Sequence, residues 1–340
     1  MRGLKARCAA VAAAGIFCSA PALAEPLVVT DIPPVHSLVA RVMEGVGEPT
    51  LILPPGASPH GYAMRPSEAA ALADADIVFW VGPELTPWLD RAIDTLGSGA
   101  DAVELLEVPG TLHLAFREGA TFEAHHHNEG EEHGDHAEAG EPAGHDGDEA
   151  GHEDAHAADA HTDEHDHDHH GTDPHAWLDP ENAKIWLAAI AETLAEADPD
   201  NADAYRRNAE AGARDLDALE ARVTETLRPV QGTPFVVFHD AYHYFENRFD
   251  IEAAGAVSLS DASKPGPARV AEIRETIRTV GAACVFTEPQ FRPVLVSTLV
   301  EGTDARTATL DPLGIDLTPG PDLYPQLLAD LAGNLAGCLD

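Results

Sequence analysis

Short apolar runs alternate with segments of helical periodicity along most of this chain. The runs that predict β-strands cover residues 27–30, 50–53, 77–81 and 102–105 in the first half, and 235–238, 251–253, 256–258, 283–287 and 306–310 in the second. Apolar residues at helical spacing predict helices at 36–44, 66–72, 88–96, 180–197, 202–228, 241–248, 267–280, 293–301 and 323–339. Continuous apolar strands that alternate with helices are typical of parallel sheets covered on both faces. The pattern therefore predicts an α/β fold with two parallel-sheet lobes.

The long helix predicted at residues 202–228 separates the two lobes. At ~1.5 Å per residue it would be about 40 Å long, which suits a rigid helix that joins two lobes, although an ordinary packed helix is the alternative. We therefore expect a first lobe at residues 25–198, a linking helix at 199–228 and a second lobe at 229–340. A cleft between two such lobes is a common place for a ligand.

Residues 1–24 have the features of a cleaved signal peptide. Arg2, Lys5 and Arg7 form a basic start, and the apolar stretch after them is too short to span a bilayer stably. A small-x-small sequence then completes a cleavage site, so we expect a secreted mature chain that begins at Glu25. A retained membrane anchor is the alternative.

The charge of the chain is strongly negative and unevenly distributed. The 340 residues carry a formal net charge of −39, and the segment at residues 118–173 holds nineteen acidic residues and no lysine or arginine. Removing those nineteen negative charges leaves −20 on the rest of the chain. This balance argues against nucleic acid and against anionic lipid surfaces as partners. It suits a soluble protein that attracts cations.

The same segment, here called the His-rich tract (residues 118–173), contains thirteen histidines. Neutral imidazole is a common ligand for borderline transition metals, so the tract predicts a disordered, metal-binding loop inserted in the first lobe. The alternative is an acidic disordered linker that carries histidine by chance. The predicted auxiliary ligands are His125, His126, His127, His133, His136, His161, His165, His167, His169 and His170, and the tract also contains His145, His152 and His156.

Two cysteines remain once the leader is removed, Cys284 and Cys338. An even pair in an exported protein predicts one disulfide bond. A cysteine metal site is the weaker alternative, because the two residues are far apart and neither belongs to a CxxC motif.

Four candidate metal ligands lie at comparable places in the predicted fold. His60, His239 and Asp311 each follow a predicted strand, where open α/β sheets bind ligands. His175 lies where the His-rich tract returns to predicted structure. Three imidazoles and one carboxylate form a four-coordinate site suited to Zn²⁺, whereas Mn²⁺ and Mg²⁺ favour more oxygen ligands.

Other polar residues near these positions are not predicted to bind the metal directly. His243 follows His239 by four residues, and we predict a supporting or surface role for it because no HExxH motif is present. Glu288 follows a predicted strand and is either the carboxylate that orients a metal-bound histidine or a helix-start residue. His36 is expected to lie at a helix start or on the surface, and His113 has no predicted role.

Five motifs together resemble the ZnuA family, the zinc-binding periplasmic components of ABC importers, within the metal-receptor cluster of substrate-binding proteins. The resemblance covers essentially the whole mature chain. The motifs are GASPH at 56–60 with RPS at 65–67, DPHAWLDP at 173–180, FHDAY at 238–242, FTEPQF at 286–291 and LDPLG at 310–314.

The resemblance implies two lobes joined by a rigid helix, with zinc bound in the cleft by His60, His175 and His239. It also implies the Cys284–Cys338 disulfide and a mobile His-rich loop. Manganese receptors of this cluster tend to carry glutamate where this chain has His239, which supports zinc. Some zinc receptors have a ligand glutamate directly before the first histidine, where this chain has Pro59. We therefore predict Asp311 as the fourth ligand, with water or a tract histidine as alternatives.

These observations predict a high-affinity periplasmic receptor that delivers Zn²⁺ to the permease and ATPase of an ABC importer and is not an enzyme. A periplasmic zinc chaperone is a further candidate partner, and we expect a monomer. One alternative is a receptor of the same cluster for manganese or another divalent metal. Another is a secreted zinc-dependent hydrolase. The lack of an HExxH motif and of a clear general base in the sequence argues against it. A third is a surface metal buffer or adhesin-like protein without a transporter partner.

Overall fold

The computed structural model describes residues 25–117, 121–122, 171–258, 266–290 and 294–340. Strands are β1 (Val28–Thr30), β2 (Thr50–Leu51), β3 (Ile77–Trp80), β4 (Asp101–Glu104), β5 (Phe235–His239), β6 (Ala253–Ser258), β7 (Cys284–Thr287) and β8 (Arg306–Thr309). Helices are α1 (Pro33–Val42), α2 (Pro66–Ala73), α3 (Pro87–Thr95), α4 (Pro180–Ala197), α5 (Ala202–Leu227), α6 (His243–Phe249), α7 (Pro267–Val280), α8 (Val294–Val300) and α9 (Leu323–Leu339). The predicted leader and the thirteen tract histidines lie outside the described residues.

The strands form two four-stranded sheets, and every described strand pair is parallel. The orders are β2-β1-β3-β4 and β6-β5-β7-β8, so the second sheet repeats the topology of the first. Every residue of β1, β3 and β5 is buried, because helices cover both faces of each sheet. The predicted α/β fold with two parallel-sheet lobes is confirmed.

The predicted linking helix is α5, which has 26 residues. Its buried face includes Tyr205, Leu216 and Val223, and it packs against α4, α1 and α9. Gly212 allows α4 to approach closely, because a Cβ atom there would lie 3.0 Å from a methyl carbon of Leu187. Neither α5 nor any other helix in the described part of the chain combines the length and apolarity of a membrane span.

The structure moves several predicted boundaries. Strand β5 continues through His239, so this residue ends the strand instead of following it. The extended segments predicted at 251–253 and 256–258 form one strand, β6, because the small residues between them still pair with β5. Helix α1 begins at Pro33, where a proline in the first turn needs no hydrogen-bond partner for its nitrogen.

A disulfide bond joins Cys284 to Cys338, as predicted. Cys284 opens β7 and Cys338 lies in the last turn of α9, 54 residues later. The bond therefore ties the last helix of the chain to a central strand of the second sheet. In the chain-entropy model a loop of this length contributes about 4 kcal/mol to the free energy of unfolding.

A buried carboxyl group, Asp31, lies directly after β1, where the strand order of the first sheet reverses. Its two oxygens accept hydrogen bonds from the backbone amides of Ile32, at 2.7 Å, and Val81, at 2.8 Å. Burial raises the pKa of Asp31 to about 7, and these amides only partly oppose the shift. The carboxyl group therefore links the ends of β1 and β3 through hydrogen bonds. Its ionisation in the folded protein is unfavourable.

Replacing Asp31 with asparagine is expected to remove one negative contribution to the slope of the unfolding free energy against pH between about pH 4 and pH 7. The pKa of Asp31 is raised from 3.8 to about 7 in the folded protein, so in this window only the folded state retains the proton and stability falls as pH rises. The slope removed should be about 1 kcal/mol per pH unit. Urea denaturation of both metal-free chains at several pH values measures the difference, since other groups titrate equally in both. Equal slopes would contradict the prediction.

Candidate metal centre

His60 lies in the loop after β2, and a neighbouring helix fixes this loop. The indole nitrogen of Trp88, in α3, donates to the carbonyl oxygen of Pro59 at 2.7 Å. The ring of Tyr62 packs edge-on against Trp88, with ring centroids 5.4 Å apart, and the Tyr62 hydroxyl donates to Glu68 at 2.9 Å. These contacts hold His60 on the first lobe.

His239 ends β5, at the point where the strand order of the second sheet reverses. Its Nδ1 lies 2.6 Å from Oε1 of Glu288, which follows the neighbouring strand β7. The backbone amide of His239 also donates to this oxygen, at 3.3 Å. Crevices outside the carboxyl ends of parallel strands, at such reversals, are where open α/β sheets bind ligands. Both side chains are buried.

His175 is held by a carboxylate two residues earlier in the chain. Oδ1 of Asp173 accepts from the backbone amide of His175, at 3.0 Å, and lies 2.6 Å from its Nδ1. Asp173 is fully buried, and burial raises its pKa to about 7 although the His175 amide lowers it. A carboxyl group in this position is stabilised as an anion by any positive charge on the imidazole or on a bound metal.

The side chains of His60, His175 and His239 converge, and we call them the three-histidine cluster. One ligand atom from each ring lies within 4.8 Å of the others. Because the Nδ1 atoms of His175 and His239 face carboxylates, their Nε2 atoms remain for a metal, and these two atoms are 3.4 Å apart. Tetrahedral coordination with Zn–N bonds of about 2.0–2.1 Å places two ligand nitrogens about 3.3–3.4 Å apart. The spacing therefore fits a tetrahedral zinc ion.

The fourth predicted ligand, Asp311, lies outside the three-histidine cluster. Its Oδ1 accepts from the backbone amides of Leu313, at 3.0 Å, and Gly314, at 2.9 Å. Its Oδ2 accepts from the amide of Ile315 at 2.6 Å. Burial raises the pKa of Asp311, and the three amides oppose this shift. As placed, the carboxylate organises the turn after β8.

The other described histidines, His36, His113 and His243, do not belong to the three-histidine cluster. Nδ1 of His243 is 3.9 Å from Oδ2 of Asp173, so His243 lies behind the carboxylate that holds His175. Nε2 of His36 is 3.2 Å from the Pro49 carbonyl oxygen, and Nε2 of His113 is 2.7 Å from that of Leu106. Glu288, predicted either to orient a metal-bound histidine or to start a helix, faces Nδ1 of His239 at 2.6 Å.

Two participants were not identified from the sequence. Asp173 belongs to the motif at 173–180 and has no predicted role of its own, although an aspartate two residues before a ligand histidine can indicate an orienting carboxylate. Arg117 has no predicted role, yet it forms ion pairs with Asp240, which follows His239, and with Glu246. No sequence spacing indicates that pairing, because it joins residues more than 120 positions apart.

Replacing Glu288 with glutamine is expected to weaken zinc binding by about 10- to 100-fold, as for other residues that orient a metal-bound histidine. The amide keeps the shape of the side chain but loses the charge that favours the Nδ1–H tautomer of His239. Competition titration against a chromophoric chelator measures the affinity. Glu301→Gln, on the exposed turn after α8, is the control and should bind as wild type. An unchanged affinity for Glu288→Gln would contradict the orienting role.

Comparison with known proteins gives a family match, similar curated relatives and similar solved structures. The family model ZnuA, described as "Zinc-uptake complex component A periplasmic", matches residues 28–338. A curated relative from Brucella abortus (strain 2308), "High-affinity zinc uptake system protein ZnuA", is 48% identical over 313 residues, 92% of this chain and 91% of the relative. The protein of the same description from Paracoccus denitrificans is 46% identical and covers 94% of each chain. A zinc-bound crystal structure of a ZnuA deletion mutant superposes with a TM-score of 0.68 at 20% identity, covering 93% of this chain and 98% of the other.

Proposed function

Because this chain belongs to the ZnuA family of periplasmic zinc-uptake components, we propose that it captures Zn²⁺ with the three-histidine cluster and delivers the ion to an ABC importer. The predicted resemblance is confirmed, and family membership also confirms a zinc-uptake receptor instead of a hydrolase. The ligand residues, the delivery step and the role of the His-rich tract are the proposed parts.

The observation that carries the proposal is the convergence of three imidazoles from distant segments. His60 comes from the first lobe, His239 from the second, and His175 from the segment between the His-rich tract and α4. Their ligand atoms lie within 4.8 Å of one another, and two of the rings are already oriented by buried carboxylates. Three imidazoles brought this close together suit the capture of a cation.

The ligand chemistry favours zinc as the cargo. Neutral imidazole nitrogens suit zinc and other late transition metals, whereas Mg²⁺, Ca²⁺ and Mn²⁺ prefer oxygen ligands. Two of the three imidazoles donate Nδ1–H to a carboxylate, an arrangement that raises the basicity of the coordinating Nε2. The names of the curated relatives point to the same cargo.

The fourth coordination position is proposed for water or for Asp311. Both Asp311 oxygens accept hydrogen bonds from backbone amides. Zinc binding by this carboxylate would therefore compete with the hydrogen bonds of the turn that follows β8. This competition favours water. An exchangeable fourth ligand also suits a receptor that must release its cargo.

The partners proposed for delivery are a permease and an ATPase. The chain would act as a monomer, and a periplasmic zinc chaperone remains a candidate donor. The His-rich tract would collect zinc with low affinity, because its imidazoles and carboxylates offer many metal ligands.

Deleting residues 123–170 is expected to lower the number of zinc ions bound while one tight ion remains. The deletion keeps Thr121 and Phe122, since both contact β6, and a short glycine–serine linker would join Phe122 to Gly171. Calorimetric titration of the full and shortened mature chains counts the ions in each affinity class. A control chain that keeps the tract but carries His60→Ala, His175→Ala and His239→Ala should show the reverse, with weak ions and no tight one. Loss of the tight ion in the shortened chain would refute this division of roles.

A further inference from the structure

Arg117 makes a buried ion-pair network that the three-histidine cluster does not include. Its side chain is 10% exposed, and those of Asp240 and Glu246 are each 3% exposed. Its Nε lies 3.1 Å from both oxygens of Asp240, and Nη2 also donates to that carboxylate. Nη1 donates to Oε2 of Glu246 at 2.6 Å, and Nη2 donates to Oε1 at 3.1 Å. One planar guanidinium therefore binds two carboxylates through hydrogen bonds.

The two carboxylates belong to the backbone that presents His239. Asp240 is the next residue after His239, and Glu246 lies in α6, the helix that begins four residues after His239. Oε2 of Glu246 also accepts from the backbone amide of Ala253 at 3.1 Å, which extends the network to β6. Glu288 fixes the imidazole ring of His239, and Arg117 fixes the peptide that follows it.

The position of Arg117 is itself well defined. The ring of Phe122 covers its guanidinium, with Cζ 3.9 Å from the ring centroid. The backbone amide of Phe122 donates to Ala254 at 3.1 Å, and Thr121 forms an antiparallel bridge with Gly255, both on the outer strand β6. The aromatic ring thus covers one face of the guanidinium, and the contacts of Thr121 and Phe122 with β6 fix the position of that ring.

We propose that Arg117 is a positioning residue for zinc capture, which sets the direction of His239 through Asp240 and Glu246. This inference rests on the proposed function, because it assumes that His239 binds zinc. The relevant property is the fork geometry of the guanidinium. A lysine ammonium carries the same charge but cannot hold two carboxylates in fixed, coplanar contacts.

Replacing Arg117 with lysine tests this role while it keeps a positive charge next to the two buried carboxylates. We expect the tight zinc affinity of the full mature chain to fall by about 10-fold, in the range found for residues behind metal ligands. We also expect the d–d absorption band of one equivalent of Co²⁺ to shift, because the ligand geometry changes. A role in stability alone would leave the band of the folded protein unchanged.

Arg206→Lys is the matched control. Arg206 also pairs bidentately with a carboxylate, Glu192, at 2.8 and 2.7 Å, but on the exposed surface between α4 and α5. This variant should keep the wild-type zinc affinity and cobalt spectrum. If Arg117→Lys does not fold, the combined variant Arg117→Met, Asp240→Asn and Glu246→Gln removes all three charges together, so that no unpaired charge remains buried. It should fold and show the same loss of affinity.

The outcomes separate this inference from the proposed function. Wild-type affinity and an unshifted cobalt band in the folded Arg117 variants would overturn the positioning role and leave zinc capture intact. Absence of a tight zinc ion in the wild-type chain itself would instead overturn the proposed function.

Discussion

The variant His239→Ala is expected to lose about two to three orders of magnitude in zinc affinity. Structural zinc sites with four ligands contribute about 10–16 kcal/mol in total, so one ligand accounts for about 3–4 kcal/mol. The change removes one of three imidazoles and also leaves Glu288 buried without the ring that it faces at 2.6 Å. The remaining pair, His175 and His60, cannot complete a tetrahedral site without additional water ligands.

Competition with a chromophoric chelator measures this loss on the full mature chain, since the weak sites proposed for the His-rich tract would not compete with a strong chelator. His113→Ala is the control, because His113 is exposed and contacts only the Leu106 carbonyl oxygen among the described hydrogen bonds. Its affinity should equal that of the wild type. If His239→Ala retained the tight ion, zinc would have to be bound elsewhere and the three-histidine cluster would not be the capture site.

The convergence of the cluster could be predicted because strand ends are visible in the sequence. His60 lies in the loop after one apolar run and His239 ends another, and open α/β sheets bind ligands beyond the carboxyl ends of their strands. His175 was recognisable from its motif. The orienting role of Glu288 could be proposed for the same reason, because Glu288 directly follows the neighbouring strand β7.

The network around Arg117 could not be predicted in this way. Its partners are determined by how α6 and β6 pack against the segment before the tract, and charge pairing across such distances leaves no periodic signal. The turn at Asp311 illustrates the opposite difficulty. A strand-end carboxylate has the chemistry of a ligand, but only the structure reveals that three backbone amides use its oxygens.

The segment that carries His175 lies before the linking helix in sequence but is bound largely by the second lobe. Trp177 donates from its indole nitrogen to the Pro312 carbonyl oxygen at 2.9 Å, and its own carbonyl oxygen accepts from Tyr324 at 2.6 Å. Asp179 pairs bidentately with Arg248 of α6, at 2.8 Å for each contact. His175 and His239 are therefore supported by the same lobe, while His60 is held by Trp88 on the other. Capture of zinc by the whole cluster would thus link the two lobes.

Replacing Trp177 with alanine is accordingly expected to lower both the stability of the metal-free chain and its zinc affinity. Trp177 is 1% exposed, and removing a buried side chain of this size costs about 3–5 kcal/mol of unfolding free energy. Its ring centroid lies 5.3 Å from that of His175, so the cavity would also free the imidazole, and we expect about 10-fold weaker zinc binding.

Trp177→Phe separates packing from hydrogen bonding, because phenylalanine keeps most of the buried apolar volume but leaves the Pro312 carbonyl oxygen without its indole donor. It should cost about 1–3 kcal/mol, and zinc affinity should stay close to wild type since the ring still supports His175. Urea denaturation of the metal-free chains and chelator competition measure the two effects independently. Alanine and phenylalanine variants of equal stability would mean that the hydrogen bond, and not the packing of the indole, holds the His175 segment in place.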